Sequence, residues 1–555
     1  MELPSFLQFI FFCTVVCSSS AADSTVSVQI GGLATVIGYT QINPDGFAFY
    51  GIPYAQPPTG QNRFAPTQRK DPSGRILAFH FGAACHQAAT AGNYDEDCLF
   101  LNIWTPKMSN FTNNKYPVLF WIHGGGFVIG SGNLDTEGIL KNLVSRGIIV
   151  VSINYRLGAF GYFSSRDSAA PGNMGMLDQI EALNWVKRYI SYFGGDPSAV
   201  TIDGESAGGE SVSLLTLSPL TNGLFVRAIV ESGSAFSPGV ISYSDTQTDT
   251  SKQAAVKLNC ITAAQWDSHS QALMTSMLQC LRQKTVADIE TFWGGWDGWE
   301  RWGPVGDHNV FPDRLENLAL KRGPIPVIIG NCKDEWLNTY KDPLQHDPTF
   351  AAKFTRQSQI DELLQHYELN FYNNSAIVRQ QAQATYIDNK PYADQDHVSW
   401  IVDNIQLYSE MVFIGPTYRE AMNFRQTGSP VYLYSFDYLA PAAMPLLNAS
   451  YRGVPHTWEL QYLMGYPATS AGGWQVTSDD IATMNSFGLY WANFVKYGNP
   501  TPTPSSVTWP QLGTNGEFMR LGPSPTPSVS FHPMAASFWA CTVPAIEGYK
   551  PTWCP

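Results

Sequence analysis

Between residues 118 and 217 the chain alternates short apolar runs with amphipathic helical segments, and this alternation restricts the possible architectures more than any other feature. Val118–Ile122 and Ile148–Ile153 are almost continuously apolar, as strands covered on both faces are. Leu177, Ile180, Leu183, Val186, Ile190 and Phe193 then recur every three or four residues, which predicts a helix that Gly194-Gly195 terminates. Val200–Asp203 reads as a strand, followed by Gly204 and a helix-compatible segment through Leu217. Phe225–Val230, Val327–Ile329 and Val431–Phe436 supply further strands. Alternating strand and helix predicts an α/β fold whose mostly parallel sheet is flanked by helices on both faces. There is no internal repeat or low-complexity run. The Pro-rich stretch Pro500–Pro510 reads as a surface loop, because the helical pattern Ile481–Val495 precedes it and aromatic residues follow. Residues 23–555 are accordingly expected to form a single domain.

The segment before residue 23 reads differently. The apolar run Phe6–Val16 leads into Ser18-Ser19-Ser20-Ala21-Ala22, the pattern of a signal peptide over residues 1–22, although no Lys or Arg precedes the run. The run is too short to span a bilayer, and no later stretch is long and apolar enough. The tail Phe538–Pro555 carries Glu547 and Lys550, unlike a glycolipid-anchor signal. A secreted, extracellular chain is therefore expected. Loss of Cys13 and Cys17 with the leader leaves seven cysteines, an odd number in an oxidising compartment. Pairing neighbours in sequence gives Cys85–Cys98 and Cys260–Cys280, with Cys541–Cys554 a possible third and Cys332 left over; spacing ranks this connectivity without fixing it. Sequons at Asn110, Asn373 and Asn448 suit glycosylation on surface loops. The net charge of −13 argues against nucleic acid as a partner, since phosphates require a basic face.

Two segments carry chemistry. Gly204-Glu205-Ser206-Ala207-Gly208-Gly209 fits G-x-S-x-G, a pattern that chance alone would produce roughly 0.3 times in a chain of this length and composition. Its setting, strand before and helix after, sharpens it: a tight turn there lifts a serine hydroxyl into a cleft. Upstream, Trp121-Ile122-His123-Gly124-Gly125-Gly126-Phe127 follows an apolar strand. Consecutive glycines can turn backbone N–H groups toward one point, as a developing oxyanion requires. A Gly-rich loop can also cradle phosphate, but no Lys-Ser/Thr follows the glycines, so a P-loop is excluded.

With these motifs the chain resembles the type-B carboxylesterases, a family that includes the cholinesterases. The resemblance extends through Phe49–Ala55, Pro57-Pro58, Arg63-Phe64, Glu96–Asn102, the glycine triplet, the Ser206 turn, Glu231-Ser232-Gly233 and Gly453–Leu460. It implies an α/β-hydrolase fold and a secreted carboxylic-ester hydrolase that acts on small-molecule esters through an acyl-enzyme, with no cofactor or metal. The family order of serine, acid and histidine implies Ser206 as nucleophile, Glu335 as acid and His456 as base, with Asp334 a rival for the acid. Gly125, Gly126 and Ala207 are the implied oxyanion hole. Ser232 is implied to support the acid, and Glu205 and Glu459 to share a water network near His456. Arg63 with Glu96 reads as a structural ion pair.

The departures from the family matter as much. Cholinesterases carry a tryptophan between the cysteines that match Cys85 and Cys98, where it binds quaternary ammonium by cation–π contact; here that loop has none. Trp336 and His308 stand where relatives commonly have glycine. Four tryptophans crowd Trp293–Trp302, a stretch that borders the acyl side of the gorge in the family. Short-acyl neutral esters are therefore expected to outperform choline esters and long-chain lipids. Cholinesterase and lipase are the alternatives within the class. A catalytically silent adhesion protein of the neuroligin kind is the alternative outside it, and the intact Ser206, Glu335 and His456 oppose it.

Overall fold

A computed structural model describes residues 24–87, 92–242, 246–292, 302–347, 349–441, 451–465, 475–503 and 507–555. The expected leader, Asn448, Trp293, Trp296 and Trp299 lie outside the described residues. The chain forms two compact units: one comprises the chain up to Ile229, Ile241–Arg322 and Trp491–Asn499, the other Val230–Val240, Gly323–Tyr490 and Pro500–Pro555.

In the first unit, β1 (Thr25–Ile30), β2 (Ala34–Ile42) and β3 (Asp45–Pro53) form an antiparallel meander, with β4 (Gly74–Leu77) parallel to β2. The two-residue strands β5 (Ala84–Cys85) and β6 (Tyr94–Asp95) pair with each other. β7 (Phe100–Thr105) lies antiparallel between β3 and β9 (Ile149–Ile153). β8 (Tyr116–Ile122) runs parallel to β9 on one side and to β10 (Gly195–Glu205) on the other, and β11 (Arg227–Glu231) comes next in the order. The sequence expectation of a parallel sheet holds for this centre, and the N-terminal edge makes the sheet mixed. The reason for the apolar runs is visible in β8, where Val118–Ile122 are at most 3% exposed. Burying each such large side chain contributes roughly 1.5–3 kcal/mol.

Two helices cover this sheet near the chemistry. α1 (Met174–Tyr189) buries Ile180, Leu183 and Val186 of the predicted face, while Leu177 is only half-buried and Met176 takes the buried place one residue earlier. After a 3₁₀ turn over Ile190–Phe193, Gly194 ends it in a left-handed conformation at φ 85°. α1 also carries Asp178, fully buried, which accepts from Arg156 Nε and Nη2 at 2.8 Å each and from the Arg156 amide at 3.0 Å. That pair fastens the chain leaving β9 onto α1. α2 (Ala207–Leu217) begins directly after β10 and Ser206.

The second unit has its own parallel strands. β12 (Val327–Cys332) pairs with β13 (Val431–Phe436), and β13 with β14 (Phe518–Leu521); β15 (Thr526–Ser528) closes the edge antiparallel. α3 (His397–Ser409) and α4 (Gly415–Gln426) are joined by a π turn over Glu410–Ile414.

Disulfides join Cys85–Cys98, Cys260–Cys280 and Cys541–Cys554, and Cys332 is free and buried. Each closed loop is short, and each bridge stabilises by about 3 kcal/mol on a chain-entropy account. Arg63 Nε donates to Glu96 Oε1 at 2.6 Å, the structural ion pair that the sequence indicates. Among the described residues no helix is long and apolar enough to cross a membrane.

Candidate active site

The register of β8 against β10, with Ile122 opposite Gly204, brings the ends of these strands level. The glycine loop after β8 and the turn after β10 therefore leave the sheet side by side. Ser206 occupies that turn at φ 57°, ψ −126°, a region a side chain rarely enters and one that is held only where surrounding structure enforces it. Gly208 lets β8 come close: a Cβ there would fall 2.1 Å from the carbonyl oxygen of Ile122. The glycine loop packs onto the same turn, because a Cβ on Gly124 would lie 2.5 Å from the Glu205 carbonyl oxygen and 3.0 Å from Ser206 Cβ. Gly125 and Gly126 have φ of 106° and 59°. The carbonyl of Gly125 accepts from the amides of Val128 and Ile129, both at 3.0 Å, which folds the loop back on itself. Among the described residues no group accepts a hydrogen bond from the amides of Gly125, Gly126 or Ala207. The Ala207 amide adjoins Ser206 on this turn, and Gly125 and Gly126 belong to the glycine loop packed against it.

In the second unit, Glu335 follows β12 and His456 comes after β13 in the chain. His456 Nδ1 lies 2.5 Å from Glu335 Oε2, and the His456 amide donates to the Glu335 carbonyl at 3.2 Å. The other oxygen, Oε1, accepts from the Cys332 amide at 2.7 Å, so both carboxylate oxygens are engaged. Glu335 is buried, and the His456 side chain remains 12% exposed. Asp334 is a spatial neighbour with a different task. Its carboxylate accepts from the Val454 amide at 2.9 Å and from the Tyr451 hydroxyl at 3.1 Å, and so holds the segment that delivers His456. Phe413, placed on the π turn between α3 and α4, packs against the imidazole at 4.7 Å between ring centres. π turns are frequent at functional sites, and nothing in the sequence periodicity marks this one.

Behind this pair sits a second buried carboxylate. Glu459 Oε1 accepts from the Ser232 hydroxyl at 3.0 Å and Oε2 from the Cys332 thiol at 2.7 Å. Burial, then the charge of Glu335, holds the Glu459 carboxyl above the usual carboxylate range. Burial and the same two carboxylates push the Cys332 thiol well up, so it stays protonated and is the donor. The Ser232 hydroxyl therefore serves Glu459 rather than Glu335. Cys332, singled out in the sequence only as an unpaired thiol, braces both carboxylates. Glu205 is buried beside Gly124 of the glycine loop.

The unusual residues resolve individually. Trp336 has an ordinary φ of −66°, and its amide donates to Ser409 Oγ at 2.9 Å, so the bulk is accommodated without strain. His308 does take the left-handed conformation, at φ 60°, that glycine would adopt freely. Trp302 is fully buried, with Nε1 donating to the Phe292 carbonyl at 3.3 Å. Asn110 and Asn373 are exposed, as a glycan acceptor must be.

Residues 23–539 match the Carboxylesterase family. The chain is 30% identical to liver carboxylesterase 1F of Rattus norvegicus over 94% of its length and 93% of that protein. It is 29% identical to carboxylesterase 1E of Mus musculus over 94% and 93%. It is also 29% identical to the medium-chain fatty acyl-CoA hydrolase precursor of Anas platyrhynchos, over 88% of this chain and 87% of that one.

Proposed function

Because this chain belongs to the carboxylesterase family, whose members hydrolyse carboxylic esters, we propose that it is a secreted serine esterase with Ser206, His456 and Glu335 as its triad. The observation that carries this reading is the 2.5 Å contact between His456 Nδ1 and Glu335 Oε2. Between a carboxylate and an imidazole the proton sits on Nδ1, which leaves the lone pair of Nε2 to act as base. Ser206 Oγ then attacks the ester carbonyl as His456 takes its proton. The carbonyl electron pair moves onto oxygen, which the Gly125, Gly126 and Ala207 amides stabilise; loss of one such donor typically costs about 10²–10³ in rate. Collapse expels the alcohol, protonated by His456, and leaves the acyl group on Ser206. Water, deprotonated by His456, attacks in turn and releases the carboxylic acid.

The three disulfides suit an oxidising compartment, in line with the apolar leader and the exposed sequons. The substrate we favour is a neutral ester with a short acyl chain, since the Cys85–Cys98 loop carries no tryptophan to bind a quaternary ammonium. A fluorophosphonate probe should label Ser206, and p-nitrophenyl acetate or butyrate should show higher kcat/KM than the matching choline ester, an emulsified long-chain ester or a medium-chain acyl-CoA. Label on another serine with Ser206 untouched would refute the nucleophile. A clear preference for the choline ester would refute the substrate assignment and leave the nucleophile standing.

A further inference from the structure

Within the first unit, one side chain of the loop closed by Cys85–Cys98 is committed to the glycine loop. Gln87 is buried, 6% exposed. Its Nε2 donates to the Gly130 carbonyl at 2.8 Å and to the Cys85 carbonyl at 3.0 Å, and its Oε1 accepts from the Gly130 amide at 2.9 Å. One primary amide thus satisfies both backbone groups of Gly130, as a neighbouring strand would. Gly130 in turn has φ 116°, and a Cβ there would fall 2.3 Å from His123 Nδ1 and 2.6 Å from the Gly124 carbonyl oxygen. It packs directly against the entry to the glycine triplet. His123 Nδ1 is 2.8 Å from the Gly124 oxygen, and its ring stacks on Tyr155 at 4.4 Å. The Tyr155 hydroxyl donates to the His123 carbonyl at 2.9 Å. Burial pushes the imidazole down to about 4, so it is neutral wherever an esterase would work.

The far end of the loop is held differently. The Gly132 amide donates to Asn154 Oδ1 at 2.8 Å, and Asn102 Nδ2 donates to the Gly132 carbonyl at 3.0 Å. Asn102 belongs to β7 and Asn154 follows β9, so that end is fixed by the sheet itself. Gln87 has no such footing: it stands two residues past a disulfide and just beyond the two-residue strand β5.

We infer that Gln87 is a positioning residue for ester hydrolysis, holding the Gly125 and Gly126 amides in place through Gly130 and His123, and that it makes the Cys85–Cys98 cross-link part of the catalytic frame. It touches no substrate, and the inference rests on the esterase reading above. A misplacement of about 1 Å in a catalytic group can lower a rate on the order of 10²-fold. Gln87→Met keeps the volume and removes every hydrogen bond. Its kcat for p-nitrophenyl acetate, per site titrated with a fluorophosphonate, should fall about 10- to 100-fold with KM held within about twofold. Gln87→Glu adds a readout that simple loss of stability would not move. The ionised carboxylate only accepts, and it would face the Gly130 and Cys85 carbonyls, whereas the neutral carboxyl supplies one donor beside one acceptor. Its kcat relative to native enzyme should therefore rise several-fold as pH falls from about 8 to about 5. Should Gln87→Met fail to fold, this ratio carries the test alone. An unchanged kcat per titrated site in Gln87→Met, or a flat ratio near one in Gln87→Glu, overturns the inference. A native enzyme that neither hydrolyses esters nor takes label on Ser206 would instead overturn the esterase reading.

Discussion

Replacing Cys332 by alanine should destabilise the protein by an amount that grows with pH. The thiol is fully buried and donates to Glu459 Oε2 at 2.7 Å, leaving the Ser232 hydroxyl at 3.0 Å as the other side-chain donor to that carboxylate. Glu459 already has its folded pKa raised by burial and by Glu335. Between the unfolded and folded pKa the native state holds a proton that the unfolded chain has released, so stability falls as pH rises through that window. The thiol's hydrogen bond opposes the shift, and its removal extends the window upward. Below the window the carboxyl is neutral in both proteins, and the variant lacks one neutral hydrogen bond, about 1 kcal/mol. Above it the lost bond was charge-assisted, about 1.5–3 kcal/mol, and one oxygen of a buried carboxylate loses its donor. Differential scanning of native protein and Cys332→Ala near pH 5 and pH 8 should show the gap in Tm widening at the higher pH. A gap that is equal at both pH values, or larger near pH 5, would refute the reasoning, because it would mean that the thiol does not favour the ionised form of Glu459.

Three further outcomes follow from contacts described above. Glu335→Gln, which can present an amide N–H to His456 Nδ1 and so favour the wrong tautomer, should lower kcat by about 10³–10⁴ with KM little changed, read by steady-state kinetics. Gly125→Ala places a Cβ 2.3 Å from the Ile129 carbonyl oxygen at φ 106°, and should lower kcat by at least about 10². Asp178→Ala leaves Arg156 buried without its carboxylate, a loss of about 3–5 kcal/mol, and should appear as a depressed Tm and poor accumulation of folded protein.

How much of this was readable in the sequence depends on whether the signal was local. β8, β9 and α1 were legible because apolar runs and a helical period are local properties. The expected triad members could be singled out because each stands in a short motif. The antiparallel meander β1–β3 carries a weaker signal, the alternation Val26, Val28, Ile30 before Gly31-Gly32, in strands too short and too mixed to stand out beside the apolar runs of the parallel centre. The family resemblance favours Glu335 over Asp334 as the acid, but the task of Asp334 was not legible. Two adjacent carboxylates differ only in which way the backbone turns them, and that is decided by Val454 and Tyr451 more than a hundred residues later. The thiol of Cys332 on Glu459 and the amide of Gln87 on Gly130 were hidden for the same reason. Each is a pairing across long sequence separations between residue types that carry no pattern of their own.

The backbone of Ser206 sets a condition on the descent of this chain as well as on its chemistry. At φ 57°, ψ −126° any side chain is strained by on the order of 1–3 kcal/mol, and only glycine is at ease. Selection for the hydroxyl therefore acts against the fold's own preference at that position. Once hydrolysis ceases to matter, drift from serine to glycine would make the protein sturdier as it fell silent.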